Sequence, residues 1–264
     1  NVFDSGYQAL YHLDDYPSPY DDSIGSDNMA KAITDGVQCT GKIYQGYDNT
    51  GSLKWIENTS ITSGVMDQTY FTVSMWIKKN GTGFLKGIYG ETDVSDADTR
   101  CYFMSGNSDL RFHLQDENGG NSRITHSCSY GDNEWHYITG VRDNDTMYFY
   151  FDDDTRSSLG TSLTIENIDK RGIGRDVYGT QSGSSWEGCI EEVRASNIAR
   201  SQGWIKTEFA NQNDPDTFYS LAAPPPEYVG AGTITTSGSA NTESNLPNYG
   251  QYIGSGSIIT SGTA

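Results

Sequence analysis

Short runs of aromatic and β-branched residues recur along this chain, and each run is set off by glycine, aspartate, asparagine or serine. Examples are YFTVSMWIKK, LRFHLQD, EWHYITGVRD and TMYFYFDD. In the last of these, Met147, Phe149 and Phe151 alternate with tyrosines and therefore share one face of an extended strand. Such runs between regular turn signals favour an antiparallel two-sheet sandwich. The sequence therefore predicts an all-β fold.

The run FTVSMWIKK raises a question about its tryptophan. Phe71, Val73, Met75 and Ile77 share a face, and Trp76 lies on the opposite face. Trp76 then belongs either to a second buried layer or to a ligand-facing surface, and a buried layer is the favoured interpretation.

One segment, SQGWIKTEFANQ, has helical periodicity. Trp204, Ile205, Glu208 and Phe209 recur at helical spacing, and Ser201 precedes them as a residue that can cap the helix. The prediction is one short helix that follows the strands.

Charge excludes some partners. The chain has 264 residues and a formal net charge of −18, so it repels polyanions such as nucleic acid and anionic bilayers. Aspartates cluster in DDYPSPYDDS, DVSDAD, RDNDT and FDDD. Such clusters either keep the protein soluble or supply the oxygen ligands that calcium prefers.

The four cysteines are far apart in sequence and form no C-x-x-C pattern, which argues against a zinc or redox site. We expect two disulfides, Cys39 with Cys189 and Cys101 with Cys128. Spacing does not fix this pairing, and buried thiols are the alternative.

Other features favour an extracellular chain. No run approaches the roughly 20 apolar residues of a membrane span, and the start NVFDSGYQALYHLDD has no basic segment followed by an apolar one, as in a mature exported chain. Sequons at Asn58, Asn80 and Asn144 are candidate glycosylation sites.

The C-terminal part differs in composition. After a domain-sized segment, 1–223, a proline-rich linker at 224–227 leads to a Gly/Ser/Thr tail at 228–264. The tail contains a repeat, since YVGAGTITTSGSA at 228–240 returns as YIGSGSIITSGTA at 252–264. Ile234, Ile258 and Ile259 lie in the β-prone centres of the two copies. These centres lack the apolar surface to fold alone, so we expect the tail either to form its own domain or to complete the sheet edge of a neighbouring molecule.

Several segments together resemble a known family. FTVSMWIKKNGT, NEWHYITGVRDNDTMYFYFDDDT and WEGCIEEVRASNIARSQGWIKTEF are similar, in this order, to laminin G-like members of the concanavalin A-like jelly rolls of bacterial and archaeal surface proteins. The resemblance covers roughly residues 7–221. It implies a two-sheet jelly roll with one short helix, commonly secreted, that binds glycans or proteins and often holds a structural calcium. The acidic positions of the family fall on Asp22, Glu191 and Glu192, with Glu191 in place of the usual Asp.

Catalysis finds little support in the sequence. Glycosidases of this fold resemble one another in a strand that carries Glu, Asp and Glu on one face, and the chain has no E-x-D-x-E stretch. The four histidines are scattered, and no G-x-S-x-G motif occurs. We therefore predict that the protein is not an enzyme.

Two functions remain. The first is a surface protein that self-assembles through its C-terminal repeats and has the jelly roll as its body. The alternative is a carbohydrate-binding module, in which exposed rings stack on sugars; its candidate tryptophans are Trp55, Trp76 and Trp186.

Overall fold

The computed structural model describes residues 4–31, 36–50, 54–62, 64–81, 83, 85–95, 99–152, 155–175 and 185–218. The chain divides into two units, 1–218 and 219–264. The linker 224–227 and the repeats with Ile234, Ile258 and Ile259 lie outside the described residues.

The described residues are mostly strands, and two helices follow them. The strands are β1 (Tyr7–Tyr11), β2 (Ala30–Lys31), β3 (Val37–Thr40), β4 (Gln45–Asp48), β5 (Ile56–Asn58), β6 (Tyr70–Asn80), β7 (Lys86–Thr92), β8 (Arg100–Ser105), β9 (Asp109–Gln115), β10 (Asn121–Ser127), β11 (Asp132–Asp143), β12 (Thr146–Phe151), β13 (Thr155–Gly160), β14 (Lys170–Ile173) and β15 (Cys189–Ser196); the helices are α1 (Gln202–Asn213) and α2 (Pro215–Phe218).

These strands form two antiparallel sheets. Sheet I has the order β13-β12-β11-β6-β15-β4-β3, and β1 pairs with the second half of β15. Sheet II has the order β10-β9-β8-β7-β14-β5-β2. The all-β prediction is therefore confirmed, and the architecture is a two-sheet jelly-roll sandwich.

The core lies between the sheets and follows the alternation of the sequence. Phe71, Val73, Met75 and Ile77 of β6 are fully buried on the inner face of sheet I. From sheet II, Phe103 and Phe112 stack with ring centres 4.9 Å apart. Burial of aromatic rings supplies much of the stabilisation of such a sandwich.

Helix α1 covers the outer face of sheet I. Ser201 caps it by accepting a hydrogen bond from the backbone N–H of Trp204, as predicted. Trp76 stacks on Phe209 at 5.6 Å and donates a 2.6 Å hydrogen bond from Nε1 to Gln212. Trp76 therefore belongs to a second buried layer, which confirms the favoured interpretation.

One of the two predicted disulfides is present. Cys39 and Cys189 are bonded, with their Cα atoms 6.4 Å apart, and they join the edge strand β3 to β15. The predicted Cys101–Cys128 bond is wrong, because both residues are free thiols. Cys101 pairs with Leu114 at one end of β9, whereas the backbone N–H of Cys128 bonds to Ser108 just before the other end. At about 3.3 Å per residue, the length of β9 separates them too far for a bond.

Candidate functional site

Glu191, a predicted calcium ligand, instead holds a hairpin tip. Its carboxylate accepts hydrogen bonds from the backbone N–H groups of Lys42, Ile43 and Tyr44, which form the turn between β3 and β4. Gly41 packs so close that a Cβ there would lie 2.5 Å from Glu191 Oε1. Burial raises the pKa of Glu191, and the three N–H donors oppose that rise.

Glu192 sits on a β-bulge. Its backbone φ is +54°, and the register of β15 against β6 shifts between Glu191 and Arg194. Strict alternation would place Glu192 on the core side with Ile190. The bulge instead lets its carboxylate bond to His12 and, at 2.7 Å, to Arg194. Burial alone would raise the pKa of Glu192, but His12 and Arg194 outweigh it and lower that pKa.

Arg194 extends this network to the helix. Its Nη1 donates a 2.7 Å hydrogen bond to Glu208 of α1, and Glu208 also accepts from the hydroxyls of Tyr7 and Tyr137 at 3.1 and 2.7 Å. The network joins β1, β11, β15 and α1, so the two glutamates complete the fold around α1 and the β3–β4 hairpin.

Asp22, the third predicted ligand, lies in another contact. Its Oδ1 accepts from the backbone N–H groups of Leu10 and Ile24, and its buried Oδ2 has no hydrogen-bond partner among the described residues. Among the described residues, no group of three or more His, Cys, Asp or Glu is arranged to hold a metal ion. The shared calcium site of Asp22, Glu191 and Glu192 is therefore wrong, because the two glutamates give their oxygens to protein donors. Calcium binding elsewhere stays a prediction.

The three tryptophans proposed to stack on sugars are buried. Trp76 and Trp186 are 0% exposed, and Trp55 is 5% exposed. Trp186 is inside the core, with the ammonium of Lys79 5.2 Å from its ring centre, and Arg175 lies 4.2 Å from the ring centre of Trp55. This prediction is wrong because sequence alternation assigns a face but does not show what packs over that face.

The sequons lie in different surroundings. Asn144 is exposed in the β11–β12 turn, with φ of +53°. Asn58 is half-buried, and its amide group donates to Asn28 O and accepts from Ser60 N. The side chain of Asn80 lies outside the described residues. Use of these sequons stays a prediction.

The histidines occupy separate structural contacts. His12 binds Glu192, His113 binds the hydroxyl of Tyr102, and His126 lies 2.9 Å from Ser157 Oγ. Burial, aided by nearby arginines, lowers the pKa of His113 to about 4.

His136 lies between two carboxylates. Its ring nitrogens are each 3.0 Å from an oxygen of Asp132 or Asp152. Burial alone lowers the pKa of His136, but these two hydrogen bonds outweigh it, so its pKa is raised. Asp132 begins β11 and Asp152 directly follows β12. Together they hold the imidazole on the ring of Phe151, with the two ring centres 4.7 Å apart.

A polar cleft of about 200 Å³ opens at one end of the sandwich. It lies between the β9–β10 turn and the loop that follows β13. Carboxylates, hydroxyls and one amide line it: Thr99, Asp116, Glu117, Asn118, Ser162, Thr164 and Glu166. Because one liquid water takes about 30 Å³, the cleft has room for a small polar ligand.

The first wall of the cleft is a rigid turn. Asp116 Oδ1 accepts from the backbone N–H groups of Asn118 and Gly120 at 3.0 and 2.8 Å. Gly119 has φ of +76°, a conformation that favours glycine. A Cβ at Gly120 would lie 2.8 Å from Asp116 Oδ2. The turn thus carries Glu117 and Asn118 on a backbone that is held in place.

The second wall is an anchored loop. Two buried side chains, Ile165 and Ile168, anchor the loop to the core. The cleft-lining residues of the loop are exposed: Ser162, Thr164 and Glu166. Thr161 N donates to Asp145 O at 2.8 Å, so the β11–β12 turn holds the loop in place. No sequence motif marks this cleft. The only available signal was the alternation in TSLTIENID, which resembles that of many solvated loops.

The two packed antiparallel sheets define the protein as a jelly-roll domain. The chain belongs to the concanavalin A-like lectin/glucanases superfamily, because the Laminin_G_3 family model matches residues 56–206. A search of curated proteins found no match. Within the described residues, no helix is long and apolar enough to cross a membrane.

Solved structures share the fold at low sequence identity. The binding domain of Paraclostridial Mosquitocidal Protein 1 has a TM-score of 0.62 and 13% identity, over 78% of this chain and 52% of that one. The binding domain of botulinum neurotoxin serotype G has a TM-score of 0.61 and 12% identity, over 78% and 51%. A third structure has a TM-score of 0.59 and 14% identity, over 78% of this chain and 51% of that one. Its description states that cell entry of botulinum neurotoxin type C depends on interaction with two ganglioside molecules. The chain spans about half the length of each.

Proposed function

We propose that this protein is a non-catalytic extracellular domain that binds carbohydrate at the polar cleft. The observation that carries the proposal is the composition of the cleft. Carboxylates of Asp116, Glu117 and Glu166 accept hydrogen bonds from hydroxyls, and the amide of Asn118 both donates and accepts. A polyhydroxylated ligand matches this set of groups.

A cation is the competing ligand for three carboxylates. The described residues contain no group of three or more acidic, histidine or cysteine side chains arranged to hold a metal ion. The three cleft carboxylates do not form such a group, so a ligand with several spaced hydroxyls fits them better than a single ion. Toxin binding domains of the same fold, one of them described with gangliosides, support a glycan as the ligand class. The Cys39–Cys189 bond supports an oxidising, extracellular setting.

The test is binding to a glycan array, followed by titration calorimetry with the best glycan. The variant is Asn118→Ala with Glu166→Gln, since neither side chain makes a hydrogen bond to another of the described residues. We expect affinity to fall at least about tenfold, because each lost hydrogen bond to a charged group is worth about 1.5 to 3 kcal/mol. The matched control is Glu134→Gln, an exposed glutamate outside the cleft. Equal affinity of variant and control would contradict the proposal.

The non-catalytic part of the proposal has its own assay. Incubation of the protein with its bound glycan should release no new reducing ends over many hours, at any pH between 5 and 8. Time-dependent release that the cleft variant abolishes would make the protein a glycosidase.

Self-assembly is a second candidate function, and the edge of sheet I favours it. Within the described residues β3 pairs only with β4, and Val37, Gln38 and Thr40 are exposed. An open strand edge can accept a strand from another chain. We infer that a C-terminal repeat of a second copy is the added strand, which would give a homopolymer.

Electron microscopy of the full chain and of a chain that ends at residue 223 tests this candidate. Regular fibres from the full chain alone are the expected result. A Gln38→Pro variant at the edge should also lose the fibres, because proline removes a backbone donor. Single particles from the full chain at high concentration would exclude self-assembly and leave the glycan proposal intact.

A further inference from the structure

Trp204 is the most exposed of the five tryptophans. It is 40% exposed, whereas Trp55, Trp76 and Trp186 are at most 5% exposed and Trp135 is half-buried. The neighbouring Ile205 is 1% exposed and packs with Val141 and Tyr150. The helix therefore already has its packing residue at this turn, and the indole beside it is directed outward.

The position of Trp204 gives the helix no capping interaction from its side chain. It stands three residues after the cap Ser201, where a capping box places Glu or Gln to bond back to the cap. An indole cannot accept that bond, and the first turn of α1 contains no acidic residue. A large ring at this exposed position is thus not explained by helix stability.

The ring is held in place by a built set of contacts. The guanidinium of Arg200 lies between two rings, 4.4 Å from the centre of Trp204 and 4.8 Å from that of Tyr7. Asp4 binds Arg200 through both Nη atoms at 2.6 Å. Arg200 is 9% exposed, and its buried Nε has no hydrogen-bond partner in the part of the chain that the structure describes. Because the guanidinium covers one face of the indole, the exposed surface lies on the other face and the ring edge.

Polar and apolar groups surround this ring in a mixed arrangement. The side chain of Asp4 is 43% exposed beside Arg200, and Ile198 is 40% exposed where it packs against Gly6. The pair of Asp4 and Arg200 is neutral overall, so the surface does not select for a charged ligand. It combines an aromatic plane with the exposed acceptor oxygens of Asp4 at its margin.

This surface lies toward the same end of the sandwich as the polar cleft. Arg200 N donates to Thr72 Oγ1 near the start of β6. Tyr70, two residues earlier, pairs with Asp143 at the β11–β12 turn, and that turn holds the cleft loop through Asp145 and Thr161. A ligand of several sugar units is therefore the appropriate class to test at this end.

We propose that Trp204, with Arg200 and Asp4 beside it, is a stacking subsite for a neutral, β-linked hexopyranose chain. Such sugars present a flat face of C–H groups to the indole, while their equatorial hydroxyls reach the exposed carboxylate of Asp4, which Arg200 holds beside the ring. The net charge of −18 disfavours acidic polysaccharides. This subsite deepens the proposed function and rests on it.

The test uses the full chain and three neutral probes: cellohexaose, β-1,4-mannohexaose and laminarihexaose. Titration calorimetry measures affinity, and tryptophan fluorescence reports contact with the ring. The variant is Trp204→Ala, which alanine's high helix propensity keeps foldable. The matched control is Tyr70→Ala, which removes another exposed ring, 49% exposed, at the same end. A heparin hexasaccharide serves as the acidic comparison.

We expect the wild type to bind at least one neutral probe with a change in fluorescence, and Trp204→Ala to lose about tenfold or more in affinity. Tyr70→Ala should keep its affinity. Equal binding by Trp204→Ala, with loss only in the Asn118→Ala, Glu166→Gln variant, would overturn the subsite and leave the glycan function standing. Loss in Trp204→Ala but not in the cleft variant would support the subsite and move the binding site away from the cleft. Preference for the heparin probe, or no binding to any neutral probe, would overturn the subsite.

Discussion

The backbone N–H of Tyr44 donates a 2.7 Å hydrogen bond to Oε1 of Glu191. This contact gives the Glu191 carboxylate a structural role. The family resemblance had implied that the same carboxylate is a calcium ligand. The β3–β4 tip is held from within, and it exposes Tyr44 at 68% and Ile43 at 48%.

Replacement of Glu191 by Gln should destabilise the protein, because an amide nitrogen would face backbone donors that now have a carboxylate acceptor. We expect a loss of about 1 to 3 kcal/mol in the free energy of unfolding. Urea denaturation monitored by circular dichroism measures it, with Glu134→Gln as the exposed control. A loss no larger than that of the control would show that the tip does not depend on Glu191.

The free energy of unfolding should fall as the pH rises above about 6.5. The folded pKa of His136 is raised by Asp152 and Asp132 despite burial, so it lies above the unfolded value of about 6.5. This stabilisation is fully present below pH 6.5 and is lost as the pH rises through the folded pKa. His12 contributes in the same direction, because its bond to Glu192 raises its pKa.

Comparison of the wild type with His136→Gln isolates the contribution of His136 to the pH dependence of the free energy of unfolding. Denaturation between pH 6 and 8.5 should show a smaller fall for the variant than for the wild type. Parallel pH profiles for the two proteins would contradict a charged His136 in the folded state.

Thiol titration tests the cysteine assignment. The unfolded, unreduced protein should contain two reactive thiols, from Cys101 and Cys128, and four after reduction. Reduction of Cys39–Cys189 should lower stability by about 4 to 5 kcal/mol, since the bond closes a loop of some 150 residues. A count of zero thiols before reduction would establish a second disulfide.

Calcium should have little effect on stability if Glu191 and Glu192 remain bonded to protein donors. We expect millimolar calcium to shift the thermal midpoint by no more than about 1 °C relative to chelator, because a ligand stabilises only the state that binds it. An upward shift that persists in Glu191→Gln would point to a site elsewhere in the chain.

The sequence predicted the features that depend on interactions between residues close together in the chain. Alternation in β6 identified the buried face, and Ser201 marked the start of α1, because both signals depend on a few adjacent residues. The same alternation could not show that α1 returns to cover Trp76, a contact across more than a hundred residues. It also could not show the bulge at Glu192, since a left-handed glutamate has no local signature.

The cleft was harder to predict for a related reason. Its lining comes from the residue before β8, from the β9–β10 turn and from the loop after β13, which meet only when the sheets pack. The chain has 35 aspartates and glutamates, and nothing in the sequence distinguishes Asp116 and Glu166 from the others. The surroundings of Trp204 were hidden for the same reason. Arg200 packs against both Trp204 and Tyr7, and Tyr7 lies at the other end of the domain sequence.

The most direct test of the account is the glycan-array binding of the wild-type chain beside its Asn118→Ala, Glu166→Gln variant. The account predicts selective binding of the wild type to a small set of glycans, with that binding lost or weakened at least about tenfold in the variant. A wild type that binds no glycan on the array, or a variant that binds equally well, would contradict carbohydrate recognition at the polar cleft.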